Sequence, residues 1–210
     1  TEFARQTAQE YVEEFILHFF KPRYIVIGYD HRFGANREGN IDFLRKYETA
    51  GHFKLVEIPA QQVDAIAVSS TKIRKAIETA RITHANRLLG YPYFLSGNVV
   101  KGNQIGRKMG FPTANIQVDD PYKLIPPQGI YAARAGAHKA MLYIGRRPSI
   151  AGSNGKSIEV NLLDFDGDLY GQNLAVEVLH FVREDKKLEG LEALKQQIEA
   201  DRAEILDYFK

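Results

Sequence analysis

The stretch SGNVVKGNQIGRKMGFPTAN, residues 96 to 115, decides the fold of the second half of this chain. Its glycines break a short basic segment that runs into Pro112-Thr113-Ala114-Asn115; they are Gly97, Gly102, Gly106 and Gly110. Glycine lets backbone N–H groups crowd against a ligand, and successive free N–H groups form a concavity that suits phosphate oxygens. Lys101, Arg107 and Lys108 add charge of the matching sign. The stretch predicts a phosphate-binding loop, with a mobile glycine-rich hairpin as the alternative.

Thr113 and Asn115 stand two residues apart, so in an extended segment their side chains face the same way. Each offers a neutral oxygen, which Mg²⁺ accepts together with phosphate oxygens and water. The glycine spacing departs from the Walker form, so a P-loop helix is not implied. We therefore interpret the stretch as a site for Mg²⁺-ATP.

Length and composition limit the number of domains and the classes of protein that this chain can belong to. A length of 210 residues, of which 44% are hydrophobic, allows one large or two small packed domains. The absence of cysteine excludes disulfides and thiolate sites and suits a reducing cytosol, so we expect a cytoplasmic protein. A net charge of +2 argues against a nucleic-acid surface, and no apolar run approaches the ~20 residues of a membrane span. Because the chain begins at Thr1 inside a helical pattern, we expect a piece of a longer protein.

The first part of the chain alternates between helical and strand patterns. The predicted elements are a helix over 4–20, a strand over 24–28, a helix over 41–48, a strand over 53–58 and a helix opened by 69–71. The continuous apolar run over 24–28 is typical of a strand buried on both faces of a parallel sheet. This order predicts the second half of a doubly wound α/β domain.

The pattern changes near Gly90 and Pro92, where we place a boundary between domains 1–91 and 92–210. A short helix over 84–89 precedes that boundary. Beyond it the segments are short and alternating, as in an antiparallel barrel, with the clearest strands at 130–135, 140–145, 157–163 and 173–182. A closing helix is marked by its apolar positions, Leu191, Leu194, Ile198 and Ile205.

The strand SIEVNLL, residues 157 to 163, places a carboxylate on a largely apolar segment. Ile158, Val160 and Leu162 share one face, which leaves Glu159 and Asn161 on the other. A solvent-exposed face of an edge strand explains this pattern as well as a functional carboxylate does.

The second half resembles the riboflavin kinase (flavokinase) family. The resemblance rests on GFPTAN at 110–115 and on pieces that follow in the family's order, namely GIYA at 129–132, IGRRP at 144–148, IEV at 158–160 and LDFDGDLYG at 163–171. It implies an antiparallel β-barrel kinase with a C-terminal helix. It also implies that ATP, with Mg²⁺, phosphorylates the 5′-hydroxyl of riboflavin to give FMN and ADP.

The resemblance also implies roles for particular residues. Glu159 is the catalytic base, and Thr113 and Asn115 lie at the metal. The segment Arg183-Glu184-Asp185 resembles the family segment that folds over the flavin, which implies that Arg183 and Glu184 contact it. A solvated charged turn explains these residues nearly as well. The residues implied to bind ATP are Gly102, Gly106, Arg107, Gly110, Thr113 and Asn115. Leu188 stands where the family has Phe, Asn161 where many relatives have His, and Ser149 where Thr is usual.

The first part resembles the nucleotidyltransferase domain that precedes the kinase in bacterial bifunctional FAD synthetases. The resemblance rests on GYDHRFG at 28–34 and VSSTKIR at 68–74; the implied site residues are Asp30, Phe33, Gly34, Ser69, Ser70, Thr71 and Arg74. Ser69 and its neighbours are also compatible with an ordinary helix cap. The family's H-x-G-H motif is absent from the six histidines. We therefore expect the parent protein to make both FMN and FAD, and this chain to make FMN alone.

Two alternatives stay open at this point. The barrel could hold flavin passively for FMN adenylylation, or it could be a non-catalytic ligand-binding barrel. For the kinase, we expect riboflavin or FMN and ATP or ADP as its partners, and neither nucleic acid nor a membrane.

Overall fold

The computed structural model describes residues 5–60, 62–63, 66–102, 106, 109–146 and 156–210. It divides into two compact units, Thr1–Ala67 and Val68–Lys210. Among these residues, no helix combines the length and apolar character needed to cross a bilayer.

The first unit packs helices against a two-stranded parallel sheet. Helix α1 begins with one α-helical turn at Ala8–Glu10 and continues as a π-helix at Tyr11–Phe20; strand β1 is Tyr24–Gly28, helix α2 is Ile41–Thr49 and strand β2 is Lys54–Ile58. Thr7 and Glu10 form a capping box at the start of α1. Short strands β3 (Gln62–Val63) and β4 (Ile66–Ala67) pair with each other.

The prediction that strand 24–28 is buried on both faces is wrong for this unit. Ile27 is buried and packs with Val12, Leu44 and Phe53. On the opposite face Val26 remains 60% exposed. In this unit the helices cover one face of the two-stranded sheet. Since neighbouring residues of a strand point to opposite faces, Ile27 lies under the helices and Val26 does not.

The second unit begins with two helices, α3 (Ser70–Glu78) and α4 (Ile82–Leu89), and continues into six strands. The strands are β5 (Tyr93–Val100), β6 (Ala114–Gln117), β7 (Gly129–Ala135), β8 (His138–Arg146), β9 (Lys156–Leu162) and β10 (Asn173–Arg183). They close a barrel in the order β10-β5-β6-β9-β8-β7. Neighbouring strands are antiparallel throughout, as predicted.

Alternation along the strands fills the barrel interior with apolar side chains, and Leu95, Tyr131, Leu142, Val160 and Val178 are among its buried residues. A second core lies outside the barrel, beneath helix α5 (Gly190–Tyr208). The predicted closing helix is confirmed, although Leu191 in its first turn is 65% exposed.

One charged pair joins the end of β10 to α5. Arg183 donates from Nε and Nη2 to the two carboxylate oxygens of Asp201, at 2.7 Å each. Asp201 is 2% exposed and also accepts from Gln197 Nε2 at 2.7 Å. These hydrogen bonds raise the pKa of Arg183 above its ordinary value, so the guanidinium stays charged. The pair fixes the chain where it leaves the barrel.

We expect Asp201→Ala to lower the free energy of unfolding by about 3 kcal/mol, because Arg183 would be left largely buried without its carboxylate. Urea unfolding measures this change. Asp207→Ala is the matched control, since Asp207 lies on the same helix and its exposed pair is with Lys210, just beyond the helix end. Breaking this pair should leave stability nearly unchanged. Equal stability of wild type and Asp201→Ala would remove this structural role.

Candidate active site

The predicted catalytic and metal residues lie together on neighbouring strands of the barrel. In the register of β6 with β9, Asn115 is opposite Glu159 and Ala114 is opposite Val160. The Thr113 hydroxyl donates to Glu159 Oε2 at 3.1 Å. Val160 packs inside the barrel, so Glu159 points outward, where it is only partly buried. A carboxylate, a hydroxyl and an amide therefore meet on the outer wall.

Asn161 fixes the chain just before Thr113. Its side-chain amide is 5% exposed and donates to the Pro112 carbonyl at 2.7 Å. This contact explains the second polar residue of β9, which the sequence alone could not assign to a partner. The contact connects β9 to the segment that leads into β6, and so it steadies Thr113 against Glu159.

Gly102 lies directly over Asn115. A Cβ atom at residue 102 would stand 2.6 Å from Asn115 Cγ, closer than real side chains approach. Glycine therefore allows the backbone to reach this amide. The turn at the other end of the segment is closed by the Phe111 N–H, which donates to the Gly106 carbonyl at 2.8 Å. Arg107, a predicted ATP contact, lies outside the described residues.

A cavity of about 460 Å³ adjoins this cluster at Thr113. Its wall is built from β5, from the start of β6, from β9 and from the loop that precedes β10; the lining includes Val99, Pro112, Thr113, Val160, Phe165 and Tyr170. Apolar and polar groups share the lining. A cavity of this size takes a small organic ligand, and Thr113, which lines it, also donates to Glu159.

The two predicted flavin contacts lie at the end of β10, where Arg183 is its last residue and Glu184 follows it. Arg183 is held by Asp201 and also donates to the Glu184 carbonyl at 2.9 Å, while the Glu184 residue is exposed. The sequence did not reveal this pairing, because Asp201 is 18 positions away. Contact of either residue with flavin stays a prediction.

The nucleotidyltransferase residues are distributed over both units. In the first, Phe33 forms a bridge with Gly39, Gly34 has a φ of 74°, and Asp30 lies in the turn after β1. In the second, Ser69 caps α3 by accepting from the Lys72 N–H at 3.3 Å. Its neighbours form the start of that helix; they are Ser70, Thr71 and Arg74. The cap explains Ser69, and a phosphate role for the group stays a prediction.

Comparison with known proteins identifies the family. The riboflavin kinase family model matches residues 89–209, and the FAD synthetase model matches residues 1–72. The chain belongs to the bifunctional riboflavin kinase/FMN adenylyltransferase family. The predicted family and fold class are thereby confirmed.

The relatives extend over the whole chain. A bifunctional riboflavin kinase/FMN adenylyltransferase from Listeria monocytogenes is 35% identical over 213 residues, covering 100% of this chain and 67% of the relative. The protein of the same name from Escherichia coli K12 is 33% identical, covering 99% and 67%. This chain thus spans about two thirds of the length of these relatives.

A solved structure shares the fold. The crystal structure named as a macrolide-efflux protein from Streptococcus pneumoniae matches with a TM-score of 0.81 and 31% identity. The match covers 97% of this chain and 66% of that one. It supports the fold described above, and the efflux function in its name is said of that protein.

Proposed function

We propose that this chain transfers the γ-phosphoryl group of ATP to the 5′-hydroxyl of riboflavin, giving FMN and ADP. The observation that carries the proposal is the 3.1 Å hydrogen bond from Thr113 to Glu159, which joins the predicted metal side of the site to the predicted base. Family membership supplies the substrate class. A barrel that only holds flavin would not need a carboxylate hydrogen-bonded to this threonine.

In this proposal the adenosine of ATP occupies the cavity beside Thr113, and its phosphates extend toward the segment 102–110. The backbone approach at Gly102 supports this placement, because N–H groups can then come close to phosphate oxygens. The basic residues of the segment supply the opposite charge. The predicted kinase domain, residues 92–210, contains all of these groups, and we propose the functional boundary near residue 91.

Thr113 and Asn115 suit Mg²⁺. With its proton directed to Glu159, the Thr113 hydroxyl still has lone pairs for a metal, and Asn115 contributes an amide oxygen. Two neutral oxygens leave the other positions of an octahedral ion to phosphate oxygens and water. Bound there, Mg²⁺ would neutralise charge on the transferring phosphates.

Glu159 would act on the alcohol. Phosphoryl transfer has a loose transition state, so the protein contributes mainly by positioning the groups and neutralising charge. We propose that Glu159 accepts a hydrogen bond from the 5′-hydroxyl, aligns it with the γ-phosphorus and takes its proton as the new P–O bond forms. The β,γ-bridging P–O bond breaks, and ADP leaves with that electron pair.

The test is a stoichiometric assay of residues 1–210 with riboflavin and Mg²⁺-ATP. Equal amounts of FMN and ADP, formed only when riboflavin is present, would support the kinase. Riboflavin binding without turnover would contradict it and favour the passive barrel.

We infer that the longer protein also transfers AMP from ATP to FMN, as the name of its relatives states for them. The H-x-G-H motif is missing from residues 1–210. In the assay above, FMN should therefore accumulate without conversion to FAD. FAD formation from added FMN at a rate similar to FMN production would contradict this inference. We also propose that the protein is cytoplasmic.

A further inference from the structure

Tyr143 lies beside Glu159 on the outer wall of the barrel. In the register of β8 with β9, Tyr143 is opposite Glu159, and the residues on either side of Tyr143, Leu142 and Ile144, fill the interior. The Tyr143 hydroxyl donates to Asp185 Oδ2 at 3.0 Å. The aromatic ring thus spans from the candidate base to the segment that follows β10.

The position of this ring depends on the absence of a side chain at Gly145. A Cβ atom at residue 145 would fall 2.7 Å from Tyr143 Cε1, so the ring occupies the space that a side chain there would fill. Two residues along a strand share one face, which explains the contact. Any larger residue at 145 would push the ring away from its present place.

Asp185 accepts a hydrogen bond from β8 and closely follows the anchored end of β10. Two positions before it, Arg183 is fixed to Asp201 of α5, and Asp185 itself accepts from Tyr143 of β8. Burial, followed by the charges of Asp185 and Glu159, raises the pKa of Tyr143 to about 12. The hydroxyl therefore remains a donor throughout the neutral range. Residue Asp185 is exposed, so its carboxylate is open to a ligand.

We propose that Tyr143 is a positioning residue of the kinase site, which holds the Asp185 carboxylate where it accepts a hydrogen bond from a non-reacting ribityl hydroxyl of riboflavin. The inference rests on the proposed function. A ribityl chain carries several hydroxyl donors, and a carboxylate that receives one hydrogen bond from Tyr143 retains acceptor sites for another. Binding at Asp185 would align the chain so that its terminal hydroxyl reaches Glu159.

The test compares Tyr143→Phe, Asp185→Asn and the double variant. Riboflavin affinity is measured by fluorescence without ATP, and KM for each substrate is measured in the kinase assay. We expect each single change to weaken riboflavin binding and raise its KM about 3–10-fold, since one hydrogen bond to a charged group is lost. The KM of ATP should stay within about twofold. Because the two residues act through one contact, the double variant should be no weaker than the worse single one.

Two further variants separate positioning from stability. Tyr131→Phe removes another tyrosine hydroxyl, which donates to the Pro127 carbonyl at 2.6 Å inside the barrel, and should lower the melting temperature without changing riboflavin affinity. Gly145→Ala keeps the Tyr143 hydroxyl but displaces its ring, and should reproduce the loss of affinity. Unchanged riboflavin affinity in Tyr143→Phe, equal effects on both substrates, or additive single effects would overturn the inference. Failure of the wild type to turn over while it still binds riboflavin would instead contradict the proposed kinase.

Discussion

Glu159→Gln is expected to lower kcat for FMN formation by about 10²–10⁴-fold while ATP affinity changes little. Glutamine keeps the size of the side chain and can still accept from Thr113, but it cannot take a proton from the alcohol. The 3.1 Å contact with Thr113 places this carboxylate next to the proposed metal and phosphates. Steady-state kinetics with riboflavin, together with a direct measurement of ATP binding, gives the two quantities separately.

The matched control is Glu177→Gln, which makes the same change in β10, where Glu177 is opposite Phe94 and Arg134. Its kcat should equal that of the wild type. A Glu159→Gln enzyme with an unaltered turnover number would exclude Glu159 as the base.

Thr113→Val is expected to lower kcat/KM for Mg²⁺-ATP by about 10²-fold and to raise the Mg²⁺ concentration that is needed for half-maximal rate. Valine has nearly the shape of threonine, so the strand should keep its packing while the hydroxyl is lost. That loss removes one proposed metal oxygen and also frees Glu159 from its partner. Small displacements of reacting groups are sufficient for losses of this size.

Thr113→Ser separates the hydroxyl from the methyl group. Serine retains the oxygen, so this variant should keep activity within a few-fold of the wild type and the same Mg²⁺ dependence. If valine and serine behaved alike, the hydroxyl would have no part in the reaction and the metal assignment would fail.

The sequence predicted the architecture of the second unit because its strands alternate cleanly. Strand β9, predicted at 157–163, is Lys156–Leu162, and the prediction that Ile158, Val160 and Leu162 face away from Glu159 is confirmed by their place in the core. Strand β6 was not among the predicted strands, because it is only Ala114–Gln117 and follows a glycine-rich segment. The motif GFPTAN marked Thr113 and Asn115 as site residues but did not assign them to a strand.

The first unit shows where local pattern is insufficient. The apolar run at β1 has the composition of a fully buried strand, yet burial depends on which elements cover each face. In this unit Ile27 is covered and Val26 is not. A run of five apolar residues contains no information on that difference.

The contacts that complete the candidate site were not predictable from the sequence. Tyr143 and Asp185 are 42 positions apart, and no motif spacing relates the two side chains to each other. Arg183 was predicted as a flavin contact from the family resemblance, whereas its partner Asp201 stood out from none of the other charged residues of α5. Such pairs depend on how the barrel brings distant segments together.

The most direct test of the account is a crystal structure of this chain with riboflavin, Mg²⁺ and a non-hydrolysable ATP analogue. We predict that the riboflavin 5′-hydroxyl lies within roughly 2.6–3.2 Å of a Glu159 carboxylate oxygen, in line with the γ-phosphorus, while Thr113 and Asn115 face the metal. A 5′-hydroxyl directed to any other residue, or a γ-phosphate bound away from Thr113, would contradict it.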